Sequence, residues 1–106
     1  MSIGSYYLGS TVRIPFQVTI SGLPSTSYIP YIEKIILPNK TNALPVKSLM
    51  TLLDSSSALY YYDYIVRTTG EYTAIMYVEI SGQKYYSYES FTVKDAIRVI
   101  PRAESR

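Results

Sequence analysis

The sequence predicts an all-β protein, a single antiparallel β-sandwich of about seven short strands. Segments rich in β-branched and aromatic residues are separated by turn signals at a spacing of roughly 8–12 residues. Apolar and polar residues alternate along Thr11–Ile20, and a second alternating region surrounds Ser81-Gly82. No segment shows the helical period. A small closed β-barrel is the alternative architecture.

Seven segments are predicted as strands, the first of them either a strand or an arm. In chain order they are Ser2–Leu8, Thr11–Ile20, Tyr31–Leu37, Val46–Leu53, Leu59–Val66, Glu71–Ile80 and Gln83–Val93. Ser21–Pro30 reads as a loop because it is rich in Gly, Pro and Ser. Pro15 interrupts the second segment and cannot donate to a ladder, so it predicts a bulge or a position whose N–H side is unpaired.

Two of these strands raise the question of which side chains face the core. For Tyr31–Leu37 the pattern allows either Ile32 with Ile36 or Ile35 with Leu37. For Leu59–Val66, burying Asp63 without a partner would be unfavourable, so Asp63 is expected to point outward. The inward side chains are then Tyr60, Tyr62, Tyr64 and Val66.

Ser81-Gly82 predicts a two-residue hairpin turn, and a two-residue loop fixes the register of the strands on either side. The pairs expected on the outer face are Glu79–Lys84, Tyr77–Tyr86, Ile75–Tyr88 and Thr73–Ser90. Those expected on the inner face are Val78–Tyr85, Met76–Ser87 and Tyr72–Phe91. The same register turns Glu89 inward opposite Ala74, so we expect either a partner for Glu89 near the sheet edge or a bulge.

The composition argues against an enzyme. The chain has no Cys and no His, which removes the usual thiol nucleophiles, imidazole bases and ligands for zinc or copper. Its carboxylates are scattered along the elements, and no phosphate-binding Gly loop or EF-hand spacing is present. We therefore predict a protein with no catalytic residues, no metal ligands and no cofactor.

The chain divides into a sandwich domain, residues 1–94, and a basic C-terminal tail or arm, residues 95–106, and its charge is unevenly spread, because residues 1–93 are neutral overall. Lys94, Arg98, Arg102 and Arg106 account for the net charge of +2 once Asp95 and Glu104 are subtracted. So small a net charge does not indicate a nucleic-acid partner. No secretory signal and no apolar stretch long enough to span a bilayer are present, so no membrane is expected as a partner.

Gly70-x-Tyr72-x-Ala74 resembles the start of the sixth strand of immunoglobulin-like domains. Tyr72 fits the corner tyrosine of that family, and Ala74 and Phe16 stand at the two positions of its inter-sheet disulfide. The sequence departs from the family in having no disulfide and no Trp on the third strand. The resemblance implies an immunoglobulin-like or fibronectin-like sandwich. In it, side-chain packing would fill the space that the inter-sheet disulfide occupies in the family.

A narrower resemblance rests on Tyr62-x-Tyr64-x-Val66, on Gly70-x-Tyr72 and on the Tyr-rich hairpin. These resemble immunoglobulin-like modules of tailed-phage virion proteins, which include capsid decoration proteins, tail appendages and receptor-binding adaptors. The resemblance implies a non-catalytic structural subunit located in a virion, with capsid or tail proteins as partners. It carries over no functional residue.

The predicted binding surface combines the outer hairpin face with the tail. Its residues are Ile75, Tyr77, Tyr86, Tyr88, Arg98, Arg102 and Arg106. Tyr provides large contact area at low entropic cost, and the arginines would pair with partner carboxylates. Self-association, cell-surface carbohydrate binding and host-surface adhesion in an extracellular setting are the alternatives, and Tyr is also simply a good strand former.

Overall fold

The computed structural model describes residues 2–95, which are all-β. Ten strands occur in chain order, and several contain only two residues. They are β1 Ser2–Tyr7, β2 Thr11–Gln17, β3 Thr19–Ile20, β4 Leu23–Pro24, β5 Tyr31–Ile36, β6 Ser48–Leu49, β7 Thr51–Asp54, β8 Leu59–Ile65, β9 Gly70–Ile80 and β10 Gln83–Lys94. Within this range, no helix is long and apolar enough to cross a membrane.

Two main sheets pack as a sandwich. The first has the strand order β1-β10-β9-β5-β6 and the second the order β2-β8-β7, while β3 and β4 form a small separate hairpin. All pairings are antiparallel except that of β1 with β10, which is parallel. The predicted all-β sandwich is thereby confirmed at the level of fold class.

The core lies between the inner faces of the two sheets. The buried side chains that form it are Val12, Ile14, Val18, Ile32, Ile35, Leu44, Met50, Ala58, Tyr60, Val66, Tyr72, Ala74, Met76, Val78, Phe91 and Val93. Tyr62, Tyr64 and Phe16 pack against this cluster while remaining partly exposed. The inward set predicted for β8 is therefore correct.

The register of the long hairpin is confirmed at every predicted pair, including Glu89 opposite Ala74. Ser81 and Gly82 have φ values of 54° and 81°. Positive φ at both central residues defines a type I′ turn, whose twist matches that of the flanking strands. No bulge shifts β10 against β9, so Glu89 does point inward.

The small hairpin was missed by the sequence interpretation, which treated Ser21–Pro30 as a loop. Ile20 and Leu23 flank a second Ser-Gly turn, in which Ser21 and Gly22 have φ values of 54° and 80°. The repeated Ile-Ser-Gly sequence was the available signal. The predicted strand Thr11–Ile20 is accordingly interrupted at Val18.

The main-chain nitrogen of Pro15 points to the side of β2 that has no pairing strand among residues 2–95, which is one of the two outcomes predicted for it. The N–H of Val18 donates to Ala58 O at 3.0 Å, and the N–H of Val66 donates to Ser10 O at 3.1 Å. The main-chain N–H and C=O groups of even-numbered residues in β2 thus point toward β8, and those of odd-numbered residues point toward the opposite edge. Pro15 removes an N–H only at that edge, and β2 pairs with β8 without a register shift.

Asp63 points outward, as predicted, and finds a partner across the strands. The guanidinium of Arg13 donates two hydrogen bonds to the Asp63 carboxylate, at 2.9 and 3.0 Å. The hydrogen-bonded Arg13 lowers the pKa of Asp63 below its ordinary value. Arg13 also lies 4.0 Å from the centre of the Tyr61 ring.

A register shift in β5 explains why its facing was ambiguous. Ile32 pairs with Met76 and Ile35 with Ala74, and the shift occurs between Ile32 and Lys34. Both isoleucines are therefore buried although they are three positions apart. Neither of the two alternating patterns considered above was fully right.

The predicted strand Val46–Leu53 is wrong as a single element, because the chain changes sheet within it. β6 pairs with β5 in the first sheet, and β7 pairs with β8 in the second. Met50 lies between them, is buried, and donates its N–H to Pro30 O at 3.0 Å. The apolar run continues across the change, so hydropathy alone did not mark it.

Tyr72 lies at the corner where the loop after β8 enters β9, and its hydroxyl bonds back to that loop. Its hydroxyl donates to Thr68 O at 2.7 Å and lies 3.3 Å from the N–H of the same residue. Its ring stacks on Phe91 with the centroids 5.0 Å apart. The corner therefore ties the loop after β8 to the core.

Tyr72→Phe is expected to lower the free energy of unfolding by about 1 kcal/mol, because it removes these hydrogen bonds and keeps the ring. Urea denaturation measures the loss. Tyr62→Phe is the matched control, since the Tyr62 hydroxyl has no hydrogen-bond partner among residues 2–95. An equal loss in both variants would contradict the role assigned to the corner.

Candidate functional site

The outer face of the first sheet carries a continuous group of aromatic side chains, here called the tyrosine face. Three neighbouring strands place it: Tyr31 pairs with Tyr77, Tyr77 pairs with Tyr86, and Ile75 pairs with Tyr88. The face is defined as Tyr31, Ile75, Tyr77, Tyr86 and Tyr88. The predicted outward hairpin residues are thus brought together, and Tyr31 extends them.

The rings form a connected series. The centroids of Tyr31 and Tyr77 are 5.4 Å apart in a stacked arrangement, and those of Tyr77 and Tyr86 are 5.5 Å apart and tilted. Tyr86 and Tyr88 follow at 6.4 Å, again stacked. Aromatic pairs in this distance range stabilise one another beyond the burial of their area. The face is therefore a pre-organised surface, which lowers the entropy lost when a partner binds.

Tyr77 corrects one part of the sequence interpretation, which expected it to be exposed. Its side chain is 0% exposed, although it lies outside the main core. Tyr31 and Tyr86 pack on either side of it, and the ammonium groups of Lys47 and Lys84 lie over its ring at 5.6 and 4.8 Å. Tyr77 is therefore the buried base of the tyrosine face, and a partner would contact Tyr86 and Tyr88, which are 46% and 55% exposed.

Sequence reasoning missed Lys47, which contacts the tyrosine face. It reaches the face from the segment between β5 and β6, donates to the Tyr77 hydroxyl at 2.8 Å, and lies 4.7 Å from the centre of the Tyr31 ring. The hydrogen bond to Tyr77 raises the pKa of Lys47. The ammonium group thus stays protonated and holds two rings together. No sequence pattern marked this contact, because Lys47 is far from the hairpin in the chain.

The face has a positive rim. Lys34 stands opposite Ile75, and Lys84 stands opposite Glu79 at the hairpin end. Within residues 2–95 the salt bridge found is that of Arg13 with Asp63, on the other sheet. Lys34, Lys47 and Lys84 therefore form no ion pair within residues 2–95, although the ammonium groups of Lys47 and Lys84 already lie over the Tyr77 ring.

A shallow depression adjoins the tyrosine face at the end near the hairpin turn. It is lined by Ser27, Tyr28, Ile29, Tyr31, Leu49, Glu79 and Gly82. Ile29 and Leu49 are exposed apolar side chains, so the surface available to a partner continues beyond the hairpin. The Tyr28-Ile29-Pro30 sequence was an available signal for this extension, because apolar residues are unusual in an exposed loop.

The remaining predicted site residues, Arg98, Arg102 and Arg106, lie outside the described residues, as does most of the proposed tail. Their pairing with partner carboxylates stays a prediction. Among residues 2–95, no three Asp or Glu side chains come together in a way that could hold a metal ion. The arrangement that the structure does show is suited to contact through rings and ammonium groups.

Glu89 is the unusual carboxylate of the described chain. It lies on the inner face of β10 opposite Ala74, and its Oε1 atom is buried without a hydrogen-bond partner within residues 2–95. Burial raises the pKa of Glu89 above its ordinary value, because desolvation disfavours the charged form. Of the two outcomes anticipated for Glu89, the bulge is absent, and the edge partner is not found within the described chain.

Glu89→Gln is expected to raise the free energy of unfolding at neutral pH by no more than about 1 kcal/mol, because it replaces a partly buried carboxylate, whose Oε1 atom has no hydrogen-bond partner within residues 2–95, with a neutral amide. Since the folded state raises the pKa of Glu89, its contribution to stability is complete below the ordinary glutamate pKa and is lost as the pH rises through the folded value. The advantage of the variant should therefore vanish in acid. Urea titrations of dilute protein at several pH values test this, and an advantage independent of pH would contradict it.

Comparison with known proteins identifies fold relatives only. No protein-family model matches the chain, and no curated protein matches it. Two similar solved structures are a putative glycoside hydrolase from Bacteroides vulgatus ATCC 8482 and CopC from Methylosinus trichosporium OB3b. The first has 13% identity and a TM-score of 0.53, covering 89% of this chain but 17% of that protein. The second has 12% identity and a TM-score of 0.56, covering 89% of this chain and 87% of CopC. At these identities the likeness shows a shared all-β fold.

Proposed function

We propose that the protein is a non-catalytic structural subunit that binds another protein through the tyrosine face. The observation that carries this proposal is the exposed pair Tyr86 and Tyr88, fixed on the buried base Tyr77 and flanked by lysines that form no ion pair within residues 2–95. Protein interfaces are enriched in Tyr at their centres and keep charged groups at their rims. The face has this composition, and its rings are already ordered.

We further propose an immunoglobulin-like relationship and a place in a larger assembly, of which a tailed-phage virion is the leading example. The order β10-β9-β5 in one sheet and β2-β8-β7 in the other corresponds to the distribution of strands in immunoglobulin-like sandwiches. The bond of Tyr72 to Thr68 corresponds to their tyrosine corner. Both features support the proposal, and the phage setting rests on the sequence resemblance alone.

The test of the binding role is the double variant Tyr86→Ser and Tyr88→Ser, because both side chains are exposed and their loss leaves Tyr77 in place. The fraction of tagged protein recovered with purified particles should fall by at least about tenfold, as expected when two central aromatic contacts are removed. Tyr7→Ser is the matched control, since Tyr7 is comparably exposed on the same sheet but distant from the face. Normal incorporation of the double variant would refute the role of the face.

Deletion of residues 95–106 tests the tail separately. If its arginines pair with partner carboxylates, recovery with particles should fall and the remaining binding should depend less on salt. Unchanged recovery and unchanged salt dependence would restrict the binding surface to the tyrosine face.

Carbohydrate binding is the second candidate function, and the stacked, exposed rings of Tyr86 and Tyr88 favour it. A glycan array probed with the isolated chain separates the two functions. Specific glycan binding that disappears in Tyr86→Ala would replace the assembly role, whereas the absence of any array signal would remove this candidate.

A further inference from the structure

Among residues 2–95, no strand pairs with the Gln83–Glu89 part of β10 on the side away from β9. β1 pairs with β10 from Ser90 onward. Lys94 O accepts a hydrogen bond from the N–H of Leu8, which shows that the polar groups of Lys94 point toward β1. Because these directions alternate along an antiparallel strand, the N–H and C=O groups of Lys84, Tyr86 and Tyr88 point to the same open side.

The unpartnered carboxylate described above lies at this edge. Glu89 is the last residue of the uncovered stretch, and its buried Oε1 atom has no hydrogen-bond partner within residues 2–95. Tyr85, on the same inner face, is also half-exposed. Within residues 2–95 the edge therefore lacks both main-chain partners and a donor for Glu89 Oε1.

We propose that this edge pairs with the same edge of a second copy of the chain, antiparallel and about a two-fold axis at Tyr86. In a two-fold pair of identical strands, the residue on the axis faces its own copy. Lys84 then faces the partner's Tyr88, and Gln83 faces the partner's Glu89. The first sheets of the two copies become one continuous sheet. The inference does not depend on the partner protein proposed above, since it concerns the chain alone.

The side chains are complementary in this register. The Gln83 amide is positioned to donate to the partner's Glu89, which supplies the missing donor twice per dimer. Lys84 comes beside the ring of the partner's Tyr88, an arrangement that favours a cation–π contact. No two like charges stand opposite each other, and the two tyrosine faces join across the axis.

Lys84 and Glu89 also belong to the residue types by which natural sheets protect their edges from pairing. Protection of the edge from pairing and formation of the two-fold dimer make opposite predictions. A protective charge meets no partner and keeps the chain monomeric, whereas the two-fold register gives each of these side chains a partner of suitable chemistry.

Sedimentation velocity of the full chain, from low micromolar to near-millimolar concentration, tests the proposal. The wild type should show a concentration-dependent dimer. Tyr86→Pro should weaken the dimer by at least about tenfold, because it removes the two symmetric N–H donors on the axis. The N–H of Tyr86 points away from β9, so proline should be tolerated at this edge position. Tyr86→Phe keeps the N–H and the ring and should leave the dimer intact.

Two further substitutions test the register and do not rely on the folding of the proline variant. Gln83→Glu places a carboxylate opposite the partner's Glu89 and should weaken the dimer, whereas Gln83→Lys creates an ion pair there and should strengthen it. Opposite changes of this kind support the proposal. A strictly monomeric wild type, a dimer that survives in folded Tyr86→Pro, or identical effects of the two Gln83 variants would each overturn it.

Discussion

Gly70→Ala is expected to lower the free energy of unfolding by about 3 kcal/mol, combining backbone strain with a steric clash. Gly70 begins β9 with φ at +127°, a conformation that residues with side chains rarely adopt. A Cβ atom at this position would lie 2.7 Å from Pro38 Cβ and 2.8 Å from Pro38 Cγ. The proline ring is rigid, so the backbone would have to move. Urea denaturation measures the loss.

Gly82→Ala is the matched control, because Gly82 also has a positive φ, at +81°, but a Cβ there meets nothing within 4 Å. Gly82→Ala should lower the free energy of unfolding by about 1 kcal/mol, which is the contribution of backbone strain alone. Pro38→Gly should recover part of the stability of Gly70→Ala, because it removes both the Cβ and the Cγ atom that the new methyl group would meet. Equal losses at Gly70 and Gly82, with no recovery, would show that the contact with Pro38 is unimportant.

Tyr77→Ala is expected to lower the free energy of unfolding by about 3 kcal/mol, within the range for truncating a buried aromatic side chain. The substitution removes the ring that packs against Tyr31 and Tyr86, and it removes the hydroxyl to which Lys47 donates. The tyrosine face should lose its order as well as its base. Near-ultraviolet circular dichroism should therefore weaken even where the protein remains folded.

Tyr88→Ala is the control for this substitution. It lies on the same face and strand pair but is 55% exposed, so its loss should stay below about 1 kcal/mol. Comparable losses at Tyr77 and Tyr88 would mean that exposure does not distinguish the base of the face from its binding surface. Tyr77→Phe, which keeps the ring, should show an intermediate effect arising from the lost bond to Lys47.

The parts of the fold that the sequence predicted well are those governed by local rules. Ser81-Gly82 admits one tight turn geometry, and that geometry determined every pair from Ile80–Gln83 to Val93–Gly70. Asp63 could be placed outward because an unpaired buried carboxylate is unfavourable, and its pairing with Arg13 satisfies it. The placement of Pro15 at an open edge follows from the same kind of reasoning.

The parts that could not be predicted depend on contacts between distant segments. The burial of Tyr77 results from Lys47 and Tyr31, which approach it from outside the hairpin. The facing of β5 depends on a register shift whose site no residue type marks. The change of sheet at Met50 occurs within Leu49–Leu53, where every residue except Thr51 is apolar. The outer face could therefore be located from the sequence, while its division into a buried base and an exposed surface required the structure.

The parallel pairing of β1 with β10 has a mechanical consequence. Ser5, Tyr6 and Tyr7 pair with Thr92, Val93 and Lys94, and both strands run in the same direction. A force that pulls the start of β1 away from the end of β10 would make the two strands slide past each other. Their hydrogen bonds lie across the direction of sliding and would have to break together, whereas bonds peeled apart from one end break in succession. A domain tethered at these two points should therefore resist extension well.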